Sequence, residues 1–182
     1  MEIKGKYIIA STREEVFAAL NDPDTLKECI PGCESFTRTN DSEFDANILA
    51  SIGPVKARFK TVVKLENVRA PESYTIVGSS KSGTAGFARG NADVVLESVP
   101  NGTELSYSAN LKVGGKLAQV GSRLVSGATK KTADEFFGSL STRLDPMALR
   151  VEEPMPERRI PLAWLVAGVL AAALLVWWYF SR

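Results

Sequence analysis

The sequence contains no histidine and only two cysteines among its 182 residues. The absence of histidine removes the commonest general base, the commonest metal ligand, and every Ser-His or Cys-His nucleophile pair. Two cysteines, Cys29 and Cys33, are too few for a disulfide framework, which predicts free thiols in a reducing compartment. The sequence therefore argues against a histidine-dependent hydrolase and against a disulfide-stapled secreted domain.

The chain also lacks an excess of charge of either sign. Its 22 Lys and Arg residues balance 21 Asp and Glu residues, which gives a formal net charge of +1. Nucleic-acid-binding proteins usually present a strongly basic field to the phosphate backbone. We therefore expect no nucleic-acid partner.

Alternating apolar and polar residues dominate the stretch 34–113, with turn-forming residues between the alternating runs. A period of two residues is typical of half-buried strands. Together with a weaker alternation near the N-terminus, it predicts a meander of about seven strands. The predicted strands cover residues 2–10, about 34–39, 43–52, 55–68, 73–80, 84–99 and 103–113.

Two short helices are predicted between the first strand and the second. Ser11 begins an S-T-R-E capping box, in which Ser11 would cap the helix and Glu14 would reach back to it. Asp22 followed by Pro23 is a second start signal, because an aspartate cap and a proline in the first turn both favour a helix start.

A long proline-free stretch, residues 116–144, closes the predicted domain. Because its apolar residues recur at spacings of three, four or eight, we predict one continuous helix, roughly 40 Å long, lying across the sheet. Gly121 and Gly127 thin the middle of this helix and predict room between helix and sheet. The apolar residues are Leu117, Val120, Leu124, Ala128, Phe136, Leu140 and Leu144.

The C-terminal part of the sequence differs from the rest. Residues 145–161 include four prolines and are predicted to form an extended linker. Residues 162–180 carry no charge and are long enough to cross a bilayer core as a helix, with tryptophans near both ends. We predict a single-pass C-terminal anchor in the cell membrane. Because residues 1–10 lack a secretory signal pattern, we expect the domain to face the cytoplasm.

Three short motifs resemble those of a known family: I-P-G-C at 30–33, G-P-V at 53–55, and A-D-E-F-F at 133–137. In this order of elements they resemble the family of the carbon monoxide dehydrogenase G subunit, within the START/Bet v 1-like (SRPBCC) superfamily. The resemblance covers about residues 1–144. It implies an α+β helix-grip fold, in which a curved antiparallel sheet wraps the long C-terminal helix and leaves a cavity between them.

The family resemblance also implies a function. It implies that domain 1–144 binds a hydrophobic, quinone-like molecule without a covalent cofactor, and acts as an accessory protein rather than an enzyme. The implied partners are the lipid bilayer and a CO dehydrogenase-type molybdenum oxidoreductase. We predict that the ligand is lined by Phe17, Phe36, Phe59, Tyr74, Phe87, Tyr107, Leu111, Leu117, Val120 and Leu124.

Two other functions are compatible with the sequence. The first is a membrane adaptor that recruits the oxidoreductase without carrying a ligand. The second is an enzyme, since related helix-grip domains include cyclases and hydrolases. Without histidine, such an enzyme would need Asp, Glu, Tyr, Lys or Cys for proton transfer. The candidate carboxylates are predicted at the rim or on the outward face: Glu43, Asp45, Asp93 and Glu97.

The segment between Cys29 and Cys33 is interpreted as a sharp turn, with Gly32 supplying an unusual backbone conformation. A zinc site would need two further ligands, and a redox pair would need a tighter C-x-x-C spacing. The alternative role for the turn is the rim of the cavity, as the resemblance suggests.

Four basic residues alternate on the predicted outward face of the long strand. A solvated strand face is the default interpretation of such a pattern. The alternative is a basic stripe that contacts anionic lipid head groups or an acidic protein. The residues are Lys56, Arg58, Lys60 and Lys64.

Overall fold

The computed structural model describes residues 1–145, which form one sheet and four helices. The strands are β1 (Glu2–Ile9), β2 (Cys33–Asn40), β3 (Glu43–Ile52), β4 (Val55–Arg69), β5 (Ser73–Ser82), β6 (Gly86–Val99) and β7 (Gly102–Gly114). The helices are α1 (Arg13–Ala19), α2 (Pro23–Cys29), α3 (Lys116–Gln119) and α4 (Ser122–Leu144). The seven predicted strands are confirmed.

All neighbouring strands pair antiparallel, in the order β1-β7-β6-β5-β4-β3-β2. Strands β2 to β7 are joined by successive hairpins, and β1 lies beside β7 at one edge. Helices α1 and α2 therefore connect the two edge strands. The side chains of each strand alternate between the two faces, so that Ala57, Phe59 and Thr61 of β4 are buried on the concave face. This arrangement fits the predicted helix-grip fold.

Helix α1 begins one residue later than predicted. Its N-cap is Thr12, whose Oγ1 accepts a hydrogen bond from the Glu15 amide at 3.3 Å, while the Thr12 amide donates to the Glu15 carboxylate at 3.1 Å. The prediction of Ser11 and Glu14 was wrong because two overlapping boxes, S-T-R-E and T-R-E-E, occur here. The predicted start of α2 is confirmed, since Asp22 accepts a hydrogen bond from the Thr25 amide at 2.9 Å.

The closing helix is interrupted, contrary to the prediction of one continuous helix over 116–144. Gly121 has a φ of +88° and a ψ of 150°, a conformation that ends α3 and precedes α4. The interruption resets the helical phase. Val125 is therefore buried, whereas Leu124, predicted on the buried face, is 51% exposed.

The apolar core divides into three clusters along the concave face. The first packs α1 and α4 on the sheet and contains Ile9, Val16, Ala19, Leu20, Cys29, Tyr74, Val94, Leu96, Leu105 and Leu140. The second lies below α2 and contains Leu26, Phe36, Phe44 and Ala46. The third is covered by α3 and contains Ala57, Phe59, Ala85 and Leu117.

Within residues 1–145, no helix is long and apolar enough to cross a membrane. The predicted anchor at 162–180 lies outside the described residues, as does the predicted linker except for Asp145.

Candidate functional site

An apolar cavity of about 250 Å³ lies between the sheet, α2 and the C-terminal half of α4. None of its lining residues is charged, and only one has a polar group in its side chain. We call this space the Tyr74 cavity. Its lining residues are Leu20, Leu26, Ile30, Phe36, Phe44, Val63, Leu65, Tyr74, Ile76, Val94, Leu105, Phe136 and Phe137.

Tyr74 supplies the polar group. Its side chain comes from the start of β5, and the residue is 4% exposed. The edge of the Phe17 ring packs against it, with ring centroids 5.8 Å apart. No residue among 1–145 gives the Tyr74 hydroxyl a hydrogen-bond partner. Burial raises the pKa of Tyr74, so the hydroxyl remains a neutral donor and acceptor at physiological pH.

A second cavity of about 210 Å³ lies beside the first and shares Ile76 with it. We call it the Thr129 cavity, because Thr129 of α4 is the helix residue that lines it. It is more open to solvent than the Tyr74 cavity. Its other lining residues are Ile3, Ile76, Gly78, Ser80, Ala88, Arg89, Gly90, Asn91, Ala92, Ala109, Asn110 and Leu111.

Small side chains on the sheet create the Thr129 cavity. Gly78 of β5 lies directly opposite Gly90 of β6, and Ala92 lies opposite Ala109 of β7. The sequence correctly predicts space between sheet and helix, but it assigns that space to glycines of the helix. Gly127 is instead exposed, with nothing near the position a Cβ would take.

The A-D-E-F-F motif fixes α4 against the sheet at the Tyr74 cavity. The Tyr7 hydroxyl of β1 donates to Asp134 Oδ1 at 2.7 Å, and the Tyr7 ring stacks on Phe137 with centroids 4.2 Å apart. Desolvation and this hydrogen bond raise the pKa of Tyr7. The residue before Phe137, Phe136, lines the cavity and packs against the first two core clusters.

Only two of the ten predicted ligand-binding residues, Phe36 and Tyr74, line the Tyr74 cavity. Phe17 and Tyr107 pack behind its wall, Phe17 on Tyr74 and Tyr107 on Phe137. The structure therefore brings these four residues together around one space.

The other six predicted residues lie elsewhere. Phe59 and Leu117 are buried in the third core cluster, and Leu111 lines the Thr129 cavity. Val120 is half-buried at the end of α3, and Leu124 is exposed on α4.

Phe87 lies on the convex face, away from both cavities. Ala88 and Val94 of β6 line the concave cavities, and Leu96 is buried in the core. Because side chains alternate along a strand, Phe87 lies on the opposite face. The Arg89 guanidinium lies 4.7 Å from the Phe87 ring centroid, as expected for a cation–π contact on an outer face.

Several lining residues were not in the predicted set. Phe44 is 1% exposed and lies on the same face of β3 as Ala46. Strand alternation would have found Phe44, Val63 and Ile76, since all three occupy inward positions. Phe137 follows Phe136 directly in α4. A pattern of apolar residues on one helix face does not predict that two adjacent residues both line the cavity.

The turn between Cys29 and Cys33 contributes Ile30 to the lining of the Tyr74 cavity. Gly32 has a φ of +73°, and its carbonyl accepts a hydrogen bond from the Leu49 amide at 2.8 Å. Burial raises the pKa of both thiols. Among residues 1–145, no group of three or more His, Cys, Asp or Glu residues is placed to hold a metal.

The basic residues of β4 lie on the convex face. Arg58 forms an ion pair with Glu34 at 2.8 Å, and Lys64 forms one with Glu43 at 3.3 Å. The strand register extends the stripe, because Lys60 lies opposite Lys81 of β5. Farther along the same face, Arg89 of β6 lies opposite Lys112 of β7.

Solved structures share this architecture. A conserved protein from Geobacillus kaustophilus superimposes with a TM-score of 0.76 at 26% identity, covering 81% of this chain and 97% of that one. A START superfamily protein from Mycobacterium smegmatis gives a TM-score of 0.59 at 14% identity, covering 79% and 96%. A protein from Chromobacterium violaceum gives 0.62 at 13% identity, covering 80% and 98%. No curated protein matches the chain.

The START-like fold and the apolar cavity agree with the family suggested by the three sequence motifs. The family model for the carbon monoxide dehydrogenase G subunit (CoxG) matches residues 5–145, which is nearly all of the described domain. Such a family and fold indicate an accessory protein that binds a hydrophobic ligand. The chain belongs to the CoxG family, that of the carbon monoxide dehydrogenase G subunit.

Proposed function

We propose that this protein is a membrane-tethered carrier of a quinone-like lipophile, and that it links a CO dehydrogenase-type molybdenum oxidoreductase to the membrane. The observation that carries the proposal is the Tyr74 cavity. This apolar space of about 250 Å³ lies within a domain of the CoxG family. Such a space is close to the lower end of the range for small-molecule sites, which suits a single ring system better than a whole isoprenoid chain.

The position of the second cavity supports a ligand with a tail. The Tyr74 and Thr129 cavities are adjacent and share Ile76. A ring in the Tyr74 cavity could therefore extend a chain past Ile76 into the more open Thr129 cavity. Small residues such as Gly78 and Gly90 leave room for that chain.

The chemistry of the lining supports a carrier rather than a catalyst. The Tyr74 cavity contains no carboxylate, amine, guanidinium or thiol among its lining side chains. Asp93, one of the carboxylates considered from the sequence, accepts a hydrogen bond from Thr75 at 2.8 Å on the convex face. General acid–base chemistry needs a group that titrates near the working pH within hydrogen-bond reach of the substrate. Among residues 1–145, Tyr74 is the one titratable residue that lines this cavity, and burial raises its pKa away from that range.

The tether rests on the uncharged segment 162–180, which would place the domain on the cytoplasmic face of the cell membrane. Tethering raises the effective concentration of the domain at the bilayer, with the segment 145–161 setting its reach. The ligand would then move between bilayer and partner without crossing bulk water.

The convex face favours a second candidate function, that of an adaptor that recruits the oxidoreductase without carrying a ligand. Lys60 and Lys81 lie opposite each other on that face, as do Arg89 and Lys112. A surface of this kind suits an acidic protein partner, and it needs no occupant in the cavity.

The proposal is tested by extracting the purified full-length chain with organic solvent and analysing the extract by mass spectrometry. We expect a stoichiometric lipophile that contains a ring and a carbonyl or hydroxyl group. A protein that releases no lipophile, and that binds no added quinone on titration, would exclude the carrier. If the oxidoreductase still co-purified with that protein, the adaptor function would remain.

A matched pair of variants ties the extracted molecule to the cavity. Ile76→Trp fills the space shared by the two cavities, whereas Val77→Trp adds the same ring to the opposite face of β5. We expect the lipophile to be lost from Ile76→Trp and retained by Val77→Trp. Equal retention by both variants would show that the molecule binds elsewhere.

A further inference from the structure

We infer that the Tyr74 hydroxyl forms a hydrogen bond to a neutral oxygen of the ligand, and that the cavity selects uncharged carbonyl or hydroxyl lipophiles over hydrocarbons and fatty acids. This inference rests on the proposed function, because it assigns the ligand chemistry of the same cavity. It adds a residue that determines specificity and a class of molecule that the site rejects.

Tyr74 is 4% exposed, lines the cavity, and has no hydrogen-bond partner among residues 1–145. Buried tyrosine hydroxyls usually find a partner, because an unsatisfied buried donor is costly. Every other residue lining the cavity has an aliphatic or phenylalanine side chain. A ligand oxygen would therefore supply the partner that the wall does not.

The second cavity provides an internal comparison. There the hydroxyl of Ser80 shares a hydrogen bond of 2.8 Å with Thr61, and Thr129 Oγ1 donates to the Val125 carbonyl at 2.9 Å. Those hydroxyls are already bonded within the protein. Among residues 1–145, the Tyr74 hydroxyl differs from those two hydroxyls because it has no partner in the cavity wall.

No Lys or Arg residue lines the Tyr74 cavity. An ionised carboxylate placed there would lose its hydration without gaining a cation, which is strongly unfavourable. A neutral carbonyl needs only one donor. The cavity should therefore reject a fatty acid at neutral pH, even though its apolar wall would accept the hydrocarbon chain.

The experiment compares duroquinone with durene, which has the same methylated ring but no carbonyl groups. Duroquinone has no free ring position, so it does not add to the thiols of Cys29 or Cys33. Binding to the full-length chain is measured by isothermal titration calorimetry for wild type, Tyr74→Phe and Tyr107→Phe. Tyr107 is the matched control, because it packs behind the wall against Phe137.

We expect Tyr74→Phe to weaken duroquinone binding by about five- to tenfold, the effect of one lost hydrogen bond, and to leave durene binding unchanged. Tyr107→Phe should leave the ratio of the two affinities unchanged. We also expect palmitate at pH 7 to bind at least about tenfold more weakly than duroquinone.

Thermal unfolding distinguishes a ligand-binding hydroxyl from a structural one. Since no residue among 1–145 bonds the hydroxyl, its removal should leave the Tm of Tyr74→Phe unchanged or slightly raised. Equal duroquinone affinity in wild type and Tyr74→Phe, or palmitate binding as tight as duroquinone binding, would overturn the inference while the carrier function stands. Failure of wild type to bind either ring compound would overturn both.

Discussion

The two cavities lie on the same concave face of one sheet and share Ile76, yet their walls differ. The Tyr74 cavity is lined by large apolar side chains and by one hydroxyl that has no partner among residues 1–145. The Thr129 cavity has glycine, alanine and serine among its sheet residues, together with Arg89, Asn91 and Asn110. Its Ser80 and Thr129 hydroxyls are already bonded. A single sheet face therefore offers a less open site for a ring and a more open groove for a flexible chain.

The largest expected difference between the cavities is in packing energy. Phe44→Ala removes a wall residue that is 1% exposed, and should lower the free energy of unfolding by about 3–5 kcal/mol. Leu111→Ala removes a half-buried wall residue of the Thr129 cavity and should cost roughly 1–2 kcal/mol. Urea denaturation measures both values. Equal costs would contradict the difference in enclosure.

Substitutions that enlarge a side chain should also distinguish the tightly packed core from the Thr129 cavity. Ala46→Leu enlarges a residue that is 3% exposed within the second core cluster, and should destabilise the domain by about 1–3 kcal/mol. Ala92→Leu adds the same atoms inside the Thr129 cavity and should change stability by no more than about 0.5 kcal/mol. A large loss in Ala92→Leu would mean that the groove is already closed.

The break in the closing helix separates the helix that covers the third core cluster from the helix that covers both cavities. Gly121→Ala should destabilise the domain by about 1 kcal/mol, because alanine is strained at a φ of +88°. Gly127→Ala, at an exposed site within α4, should instead stabilise it by about 0.5–1 kcal/mol. Thermal denaturation measures both signs. Stabilisation by both substitutions would indicate one continuous helix.

The smallest effect is a pH dependence that belongs to the Tyr74 cavity. Burial raises the pKa of Tyr74, so above the unfolded-state pKa of about 10 the unfolded chain loses a proton that the folded chain keeps. Stability contributed by Tyr74 is complete below that pH and falls as the pH rises further. At a pH half a unit above the unfolded-state pKa, the free energy of unfolding should be about 0.8 kcal/mol lower.

Urea unfolding of wild type and Tyr74→Phe at pH 9 and pH 10.5 isolates the contribution of Tyr74 to the pH dependence of stability. The variant should lose less stability than wild type over the interval. Parallel losses in the two proteins would mean that the Tyr74 hydroxyl ionises as readily in the folded chain as in the unfolded one.

The sequence predicts which face of the sheet a side chain occupies better than it predicts which helix covers that side chain. Strand alternation places Phe36, Phe59 and Tyr74 on the inward face, and all three are buried there. Strand alternation does not predict where along a strand a helix will pack against it. Phe59 consequently lies below α3 in the third cluster, whereas Phe36 lies at the cavity below α2.

The helix break was not predictable from apolar spacing, because glycine is compatible with both a helical and a left-handed backbone. The positive φ of Gly121 is set by the docking of α3, where Leu117 is buried and its amide donates to the Ala85 carbonyl at 2.9 Å. That contact joins parts of the chain that are distant in sequence.

The central claim is that the Tyr74 cavity holds the polar ring of a neutral lipophile. It is tested most directly by a crystal structure of the full-length chain grown with duroquinone. We expect the ring against Ile76 and Phe136, with one carbonyl oxygen within hydrogen-bond distance of the Tyr74 hydroxyl. A ring bound only in the Thr129 cavity, or a carbonyl that contacts no part of Tyr74, would contradict the account.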